Sequence, residues 1–442
     1  MALETTNYQC LACGGPLRFD GATQKLVCDH CDSAFDVATV EAEYAARQAK
    51  ADAAAAQAGA TGGVATDQAA SEATVTDEGL VQYICSSCGA ELVSDGTTAV
   101  TKCPYCDNPT VVPGVLQDAF KPDLVIPFKL DHDRATQALS DFYKGKKFLP
   151  KEFSSNNRIQ EIQGVYVPFW LYDARANGQG YYEGRQVRTY TQGDERITET
   201  KYFDCSRAGT LDFVRVPVDG SSKMPDTHMD AIEPFDYSEL VPYSVAYLPG
   251  YLADRYDQDC TACSHRAENR MVESMKATLE DTVTGYDSVS CKSCDVGVDW
   301  GKSQYAMFPV WLLNTKLNGE DFLFAMNGQT GKLVGNLPVS MAKVITWFVG
   351  ILVLVGAIAA AAIFGLGMME EASTAAQIGA AVGVGAVVAA IACFIFYSQM
   401  KTANEATQAQ AYRQLETFNL TCRDDVYMRT SRKVEKIEKN KK

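Results

Sequence analysis

Cys10-x2-Cys13-x14-Cys28-x2-Cys31 opens the 442-residue chain, and Cys85-x2-Cys88-x14-Cys103-x2-Cys106 repeats the same frame further along. Two Cys-x2-Cys pairs at such spacing are the donor set of one tetrahedral Zn²⁺ each, with four thiolates closing the coordination sphere. A closed sphere leaves no position for substrate or activated water, so two structural zincs are expected rather than catalytic ones. A module of about 30 residues buries too little apolar surface to hold itself together, so ligation must supply much of its folding free energy. Gly14, Gly15 and Gly89 follow the first pair of their frames, where a tight turn aims backbone N–H groups at sulfur. Leu17 and Phe19, and Leu92 and Val93, suggest a small hairpin between the pairs. These features describe two zinc ribbons, over residues 1–40 and 80–114. Thiolates held for zinc point to a reducing cytoplasm. Paired disulfides in a secreted protein are disfavoured, because no secretory signal precedes Cys10.

Cys260-x2-Cys263-x27-Cys291-x2-Cys294 is a third set, with a central interval that is long for a ribbon. A helix filling that interval would bring the pairs together as a third zinc site, with His265 as a substitute ligand. Without convergence the four are thiols in or near a core, or a redox-sensing set. Cys205, Cys393 and Cys422 stand alone.

No catalytic constellation accompanies the cysteines. His30, His132, His228 and His265 lack HExxH spacing, Gly328-Gln-Thr-Gly-Lys332 is too short for a phosphate-binding loop, and GxSxG is absent. The expectation is a protein that is not an enzyme. The net charge is −15. The ribbons are themselves acidic, −3 over residues 1–40 and −2 over residues 80–112, and each Zn(Cys)₄ core adds about −2 more. Nucleic-acid binding, which depends on Lys and Arg displacing counterions, is disfavoured and stands as the alternative reading.

The elements that position these cysteines read as follows. Residues 41–79 are an Ala-rich linker, helical on propensity over Glu41–Ala58 and flexible beyond. Residues 115–338 read as one α+β body. Within it, Val125–Lys129 is strand-like, and Asp131 or Asp133 caps a helix reaching about Lys144, with Ala135, Leu139 and Phe142 on one face. Antiparallel strands follow over Gly164–Ala176, Gly180–Tyr190, Arg196–Ser206 and Thr210–Pro217, with turns at Asn177-Gly178 and Gln192-Gly193-Asp194. Tyr166-Val-Pro-Phe-Trp-Leu-Tyr172 resembles Met307-Phe-Pro-Val-Trp-Leu-Leu313 in the later half of the body. A helix at Ala267–Thr282 answers the first one, and Asn318-Gly319 and Asn327-Gly328 bracket a strand as hairpin turns. The expectation is a duplicated antiparallel-sheet α+β unit about a pseudo-two-fold axis, with Trp170 and Trp311 as core anchors.

Val344–Met369 and Ala372–Met400 lack Asp, Glu, Lys and Arg and exceed the 20 or so apolar residues needed to cross a bilayer. They form a transmembrane hairpin, within residues 339–400, around an acidic loop at Glu370 and Glu371. Lys332, Lys343, Lys401 and Arg413 flank it, which places both termini in the cytoplasm and the protein in the cell membrane. Gly379-x3-Gly383 and Ala357-x3-Ala361 offer small-residue faces for helix contact. Residues 401–442 are a charged cytoplasmic tail, +4 over Arg432–Lys442. That end suits an anionic inner leaflet or simply a solvated helix.

The order of ribbon, Asn156-Asn-Arg-Ile-Gln-Glu-Ile-Gln-Gly-Val-Tyr-Val-Pro-Phe-Trp170, Val216-Pro-Val-Asp-Gly-Ser-Ser-Lys-Met224, Phe324-Ala-Met-Asn-Gly-Gln-Thr-Gly-Lys332 and membrane spans resembles a bacterial family over residues 80–350. Its members are described as TFIIB-type zinc ribbon-containing proteins, some as primosomal protein N′ or helicases, although no helicase motif is present here. Members occur beside SPFH-domain (flotillin-like) and phage-shock-type membrane-stress proteins. The resemblance therefore implies a membrane-anchored scaffold or adaptor that recruits such protein partners. The second ribbon and the Cys260–Cys294 set depart from the family pattern.

Overall fold

The structure, a computed structural model, describes residues 8–59, 74–75, 80–84, 91–95, 98–102, 109–111, 121–154, 162–317, 320–365 and 373–436. The architecture is α+β, with six α-helices among the described residues. They are α1 (Val37–Gly59), α2 (His132–Tyr143), α3 (Asp226–Ala231), α4 (Cys260–Asp281), α5 (Met341–Gly365) and α6 (Thr374–Ser398). The chain divides into two compact units whose segments alternate. The first comprises Met1–Val167, Lys223–Arg255 and Met307–Glu405; the second comprises Pro168–Ser222, Tyr256–Ala306 and Ala406–Lys442. The continuous body expected over 115–338 is thus shared between both units.

In the first unit, alternation builds a small sheet. Leu17 and Phe19 in Leu17–Asp20, and Leu26 and Cys28 in Lys25–Cys28, point inward, and Ala34–Phe35 completes the three strands. Helix α1 follows directly. Its first turns are docked rather than tethering, because Val40 joins the core of Leu17, Phe19 and Leu26, and Tyr44 packs edge-on against Tyr8. Helix α2 forms, with Asp131 rather than Asp133 as its cap, accepting from the Arg134 N–H at 2.8 Å; Ala135 and Leu139 are buried as expected, but Tyr143 joins them while Phe142 is only half-buried. The expected strand at Val125–Lys129 shortens to Leu124–Val125. Glu320–Asn327 pairs back on the end of Ser288–Leu317, from Val310↔Asn327 to Leu317↔Glu320, as the hairpin reading required. The Asn327-Gly328 turn is a clamp. Asn327 Oδ1 accepts from the Gln329 and Thr330 N–H groups, and its Nδ2 donates to the carbonyl oxygens of Ile232 and Pro234.

Helices α5 and α6 are long and apolar enough to cross a membrane. They pack on each other through Ala381, Gly385 and Ala389 of α6. A Cβ at Gly385 would stand 2.8 Å from the Leu352 carbonyl oxygen, so only glycine lets the helices approach there. Gly379 and Gly383, the spacing singled out in the sequence, have nothing within 4 Å of a built Cβ and lie off this contact.

Gln163–Gln192, which enters the second unit at Pro168, and Glu195–Asp219 are each a single long strand, joined by a turn at Gly193 (φ 63°). The turn expected at Asn177-Gly178 does not form; Asn177 pairs with Thr210 and Gly178 with Gly209 inside the ladder. Gly178 serves close packing instead, since a Cβ there would lie 2.8 Å from Leu279 Cδ1 of α4. The tail is a second correction. Arg413–Lys436 is a strand paired antiparallel with Glu195–Phe213, because its β-branched and aromatic residues find a ready ladder. Helix α4, capped by Asp259 and longer than the expected Ala267–Thr282, buries Ala267, Met271, Met275 and Leu279.

Candidate metal centre

The first cysteine frame closes. One sulfur from each of Cys10, Cys13, Cys28 and Cys31 lies within 4.8 Å of all the others. Cys10 and Cys31 sulfurs are 3.6 Å apart, and those of Cys13 and Cys28 are 3.5 Å apart. A tetrahedron with metal–sulfur bonds near 2.3 Å requires edges of about 3.8 Å. The donor set therefore fits a divalent metal of zinc's size.

Two matching turns build this geometry. The Gly14 N–H donates to the Cys10 carbonyl at 2.9 Å, and the Asp32 N–H donates to the Cys28 carbonyl at 2.9 Å. The residue after each second cysteine is left-handed, Gly14 at φ 76° and Asp32 at φ 55°. The Ala12 N–H points at the Cys10 sulfur, 3.4 Å away. Cys10 and Cys28 are buried, while Cys13 and Cys31 face solvent. The Ser33 hydroxyl and its N–H hold the Cys31 thiol down to about 6. The Gly15 N–H favours the Cys13 thiolate, but competition with the Cys31 and Cys28 sulfurs pushes that thiol up to about 12. Ligation requires all four deprotonated, so metal binding would release protons and weaken as pH falls.

The knuckle is seated on its own unit. The Phe19 N–H donates to the Pro249 carbonyl at 2.8 Å, Phe19 meets Tyr247 edge-on, and Gln24 Nε2 donates to the Phe128 carbonyl at 2.7 Å. A Cβ on Gly21 would lie 2.8 Å from that same carbonyl oxygen. Nothing in the spacing of cysteines announced this seating. The one sequence signal is the cluster of Tyr243, Tyr247 and Tyr251 around Leu248-Pro249-Gly250.

Cys85, Cys88, Cys103 and Cys106 lie outside the described residues. Their neighbours are described: Leu80–Ile84 pairs with Glu91–Asp95, and Thr98–Lys102 pairs with Pro109–Val111.

Cys260, Cys263, Cys291 and Cys294 do not bring three or more sulfurs within 4.8 Å of one another, unlike the first four. Cys260 and Cys263 occupy the first turn of α4, where Cys263 is buried and points its thiol at the Asp219 carbonyl, 3.5 Å away. Cys291 and Cys294 lie on Ser288–Leu317, and Lys276, near the other end of α4, is a close charge to Cys294. The stretch of helix from Cys263 to Lys276 spans about 20 Å at about 1.5 Å per residue. The Tyr182 hydroxyl donates to the Cys294 sulfur at 3.9 Å. His265 contacts Asn269 rather than a cysteine.

The second unit holds a feature that sequence patterns missed. Arg207 is fully buried, and its Nη1 meets Asp425 at 2.6 Å and the Ser206 and Asp424 carbonyls. Arg207 Nε and Nη2 have no partner among the described residues. Cys205 lies alongside, its thiol pushed up by burial. An Arg among alternating strand residues gives no sign of burial until its strand partner is known.

No family model and no solved structure matches the chain. It is 37% identical over 230 residues to "Uncharacterized protein YdjG" of Bacillus subtilis (strain 168), a match covering 52% of this chain and 67% of the relative. With that identity over two thirds of the relative's length, the chain belongs to the YdjG family.

Proposed function

We propose that the protein is a membrane-anchored cytoplasmic scaffold that recruits protein partners of the SPFH-domain or phage-shock type. The observation that carries this reading is the joint presence of a closed four-cysteine knuckle and a close-packed pair of apolar helices. The knuckle's zinc would hold a recognition surface rigid, with Cys10, Cys13, Cys28 and Cys31 as ligands and no position left for a reactant. Helices α5 and α6 would cross the bilayer, with both termini on the cytoplasmic side. Cys85, Cys88, Cys103 and Cys106 would hold a second zinc.

The duplicated body belongs to the same reading, and matched hydrogen bonds support it. Trp311 Nε1 donates to the Leu130 carbonyl, immediately before the Asp131 cap of α2. Trp170 Nε1 donates to the Gln258 carbonyl, immediately before the Asp259 cap of α4. Each tryptophan thus holds the start of the helix from the other sequence half.

Crosslinking in native membranes followed by capture of the full chain tests the function. Recovery of an SPFH-domain or phage-shock-type protein at stoichiometric yield supports it. Recovery of the chain without either class removes it.

A further inference from the structure

The loop after α2 carries Lys144-Gly-Lys-Lys-Phe-Leu-Pro-Lys151, a basic run in a chain of net charge −15. It is fastened to the bases of α5 and α6, all within the first unit. The Ser340 N–H, just before α5, donates to the Phe148 carbonyl at 2.9 Å. Lys343 Nζ donates to the Leu149 carbonyl at 2.5 Å, and Lys146 Nζ donates to the Gln399 carbonyl at 2.7 Å, just past α6. Phe148 meets Phe396 of α6 edge-on at 5.8 Å, and Trp347 of α5 meets the same ring at 5.7 Å. Lys147 lies over the Trp347 ring at 5.3 Å, and Lys401 lies over the Tyr397 ring at 5.7 Å.

Four cations therefore ring one end of the helix pair. Lys144 is neutralised by Asp141. Lys146, Lys147, Lys343 and Lys401 form no ion pair with any described carboxylate; their partners are backbone carbonyls and aromatic faces, which leave the charge uncompensated. Holding four positive charges close together is unfavourable without a counter-charge. The Trp and Tyr beside them are the side chains that favour the headgroup level of a bilayer.

We infer that this lysine collar binds the phosphate headgroups of anionic phospholipids on the leaflet at the base of α5 and α6. The inference rests on the reading of these helices as membrane spans. The loop would then be a third contact with the bilayer, setting the height of the first unit above the lipid. Phosphates at that level would supply the missing counter-charges, while Lys147 and Lys401 keep their stems on the aromatic rings.

The test uses the full chain in nanodiscs of phosphatidylcholine with roughly 30% phosphatidylglycerol, an anionic fraction that gives a negative surface. Lipid retained by the released protein is counted by native mass spectrometry. The wild type is expected to retain phosphatidylglycerol over phosphatidylcholine, and Lys147→Gln/Lys401→Gln to lose about fivefold of that preference per charge removed. Among the described residues the loop's side-chain bonds to backbone carbonyls come from Lys146 and Lys343, not from these two lysines, so the variant keeps the loop's fastening. Alkaline carbonate extraction of membranes runs in parallel. Retention in the membrane with no phosphatidylglycerol preference, or with a preference unchanged in the variant, overturns the collar alone. Release by carbonate overturns the membrane spans and the collar together.

Discussion

Two cysteine sets of the same residue types meet different fates. Cys10, Cys13, Cys28 and Cys31 close around a point, whereas Cys260, Cys263, Cys291 and Cys294 do not. The difference lies in the backbone beneath each Cys-x2-Cys. In the first set both pairs sit on turns that end in a left-handed residue, so both sulfurs of a pair converge. In the second, one pair rides the first turn of a helix and the other a strand. Residues i and i+3 of a strand point to opposite faces. A four-cysteine spacing is therefore a metal site only when turns carry it. The units also differ in the polar groups they hold: four thiols suited to a metal in the first, and a buried Arg207 paired with a partly exposed Asp425 in the second.

The sharpest way to break this comparison is Cys28→Ser. Structural zinc contributes on the order of 10 kcal/mol to such a module. The variant should lose one bound metal per chain by elemental analysis, and residues 8–35 should become open to protease. An unchanged metal content would remove the centre. Next in size is Asp425→Ala, which strands a buried guanidinium and should cost about 3 kcal/mol in denaturant unfolding. No loss of metal should accompany it.

The same pair predicts a pH dependence. Arg207 holds the Asp425 carboxyl below its usual range. A depressed native value means the stabilisation is fully present above the unfolded value, about 3.9, and is lost as pH falls through the lower native value. Acid titration of the unfolding midpoint below about pH 4 should show this loss in the wild type. Asp425→Asn should flatten it. Smaller still is Cys263→Ala, which removes a buried thiol's contact with the Asp219 carbonyl and should cost about 1–2 kcal/mol at constant metal content. Cys291→Ser, at an exposed strand position, should stay within about 0.5 kcal/mol. A fall in metal content in either cysteine variant would mean the two sets are alike after all.

Much of the candidate centre was legible because its chemistry is local. Four cysteines at fixed spacing, glycines beyond the first pair and alternating Leu17 and Phe19 all lie between Cys10 and Cys31. The cap of α2, narrowed to Asp131 or Asp133, and the apolar lengths of α5 and α6 were legible for the same reason. Asn177-Gly178 misled because a hairpin signal and a close-packing glycine look alike until Leu279 arrives from far along the chain. The small-residue face misled likewise: Gly385, not Gly379 or Gly383, meets the partner helix. The C-terminal segment read as a charged tail because its strand partner, Glu195–Phe213, lies in the first half of the chain.

The sequence by itself determined the donor set of the first knuckle, the cap of α2 and the two apolar helices, since these depend on side chains within a few turns of one another. Only the tertiary structure decided which cysteines meet, where Arg413–Lys436 pairs, and that the lysines after α2 surround the base of the apolar helices. Those outcomes depend on backbone hydrogen bonds and packing between distant segments, and neither leaves a periodic trace in either segment alone.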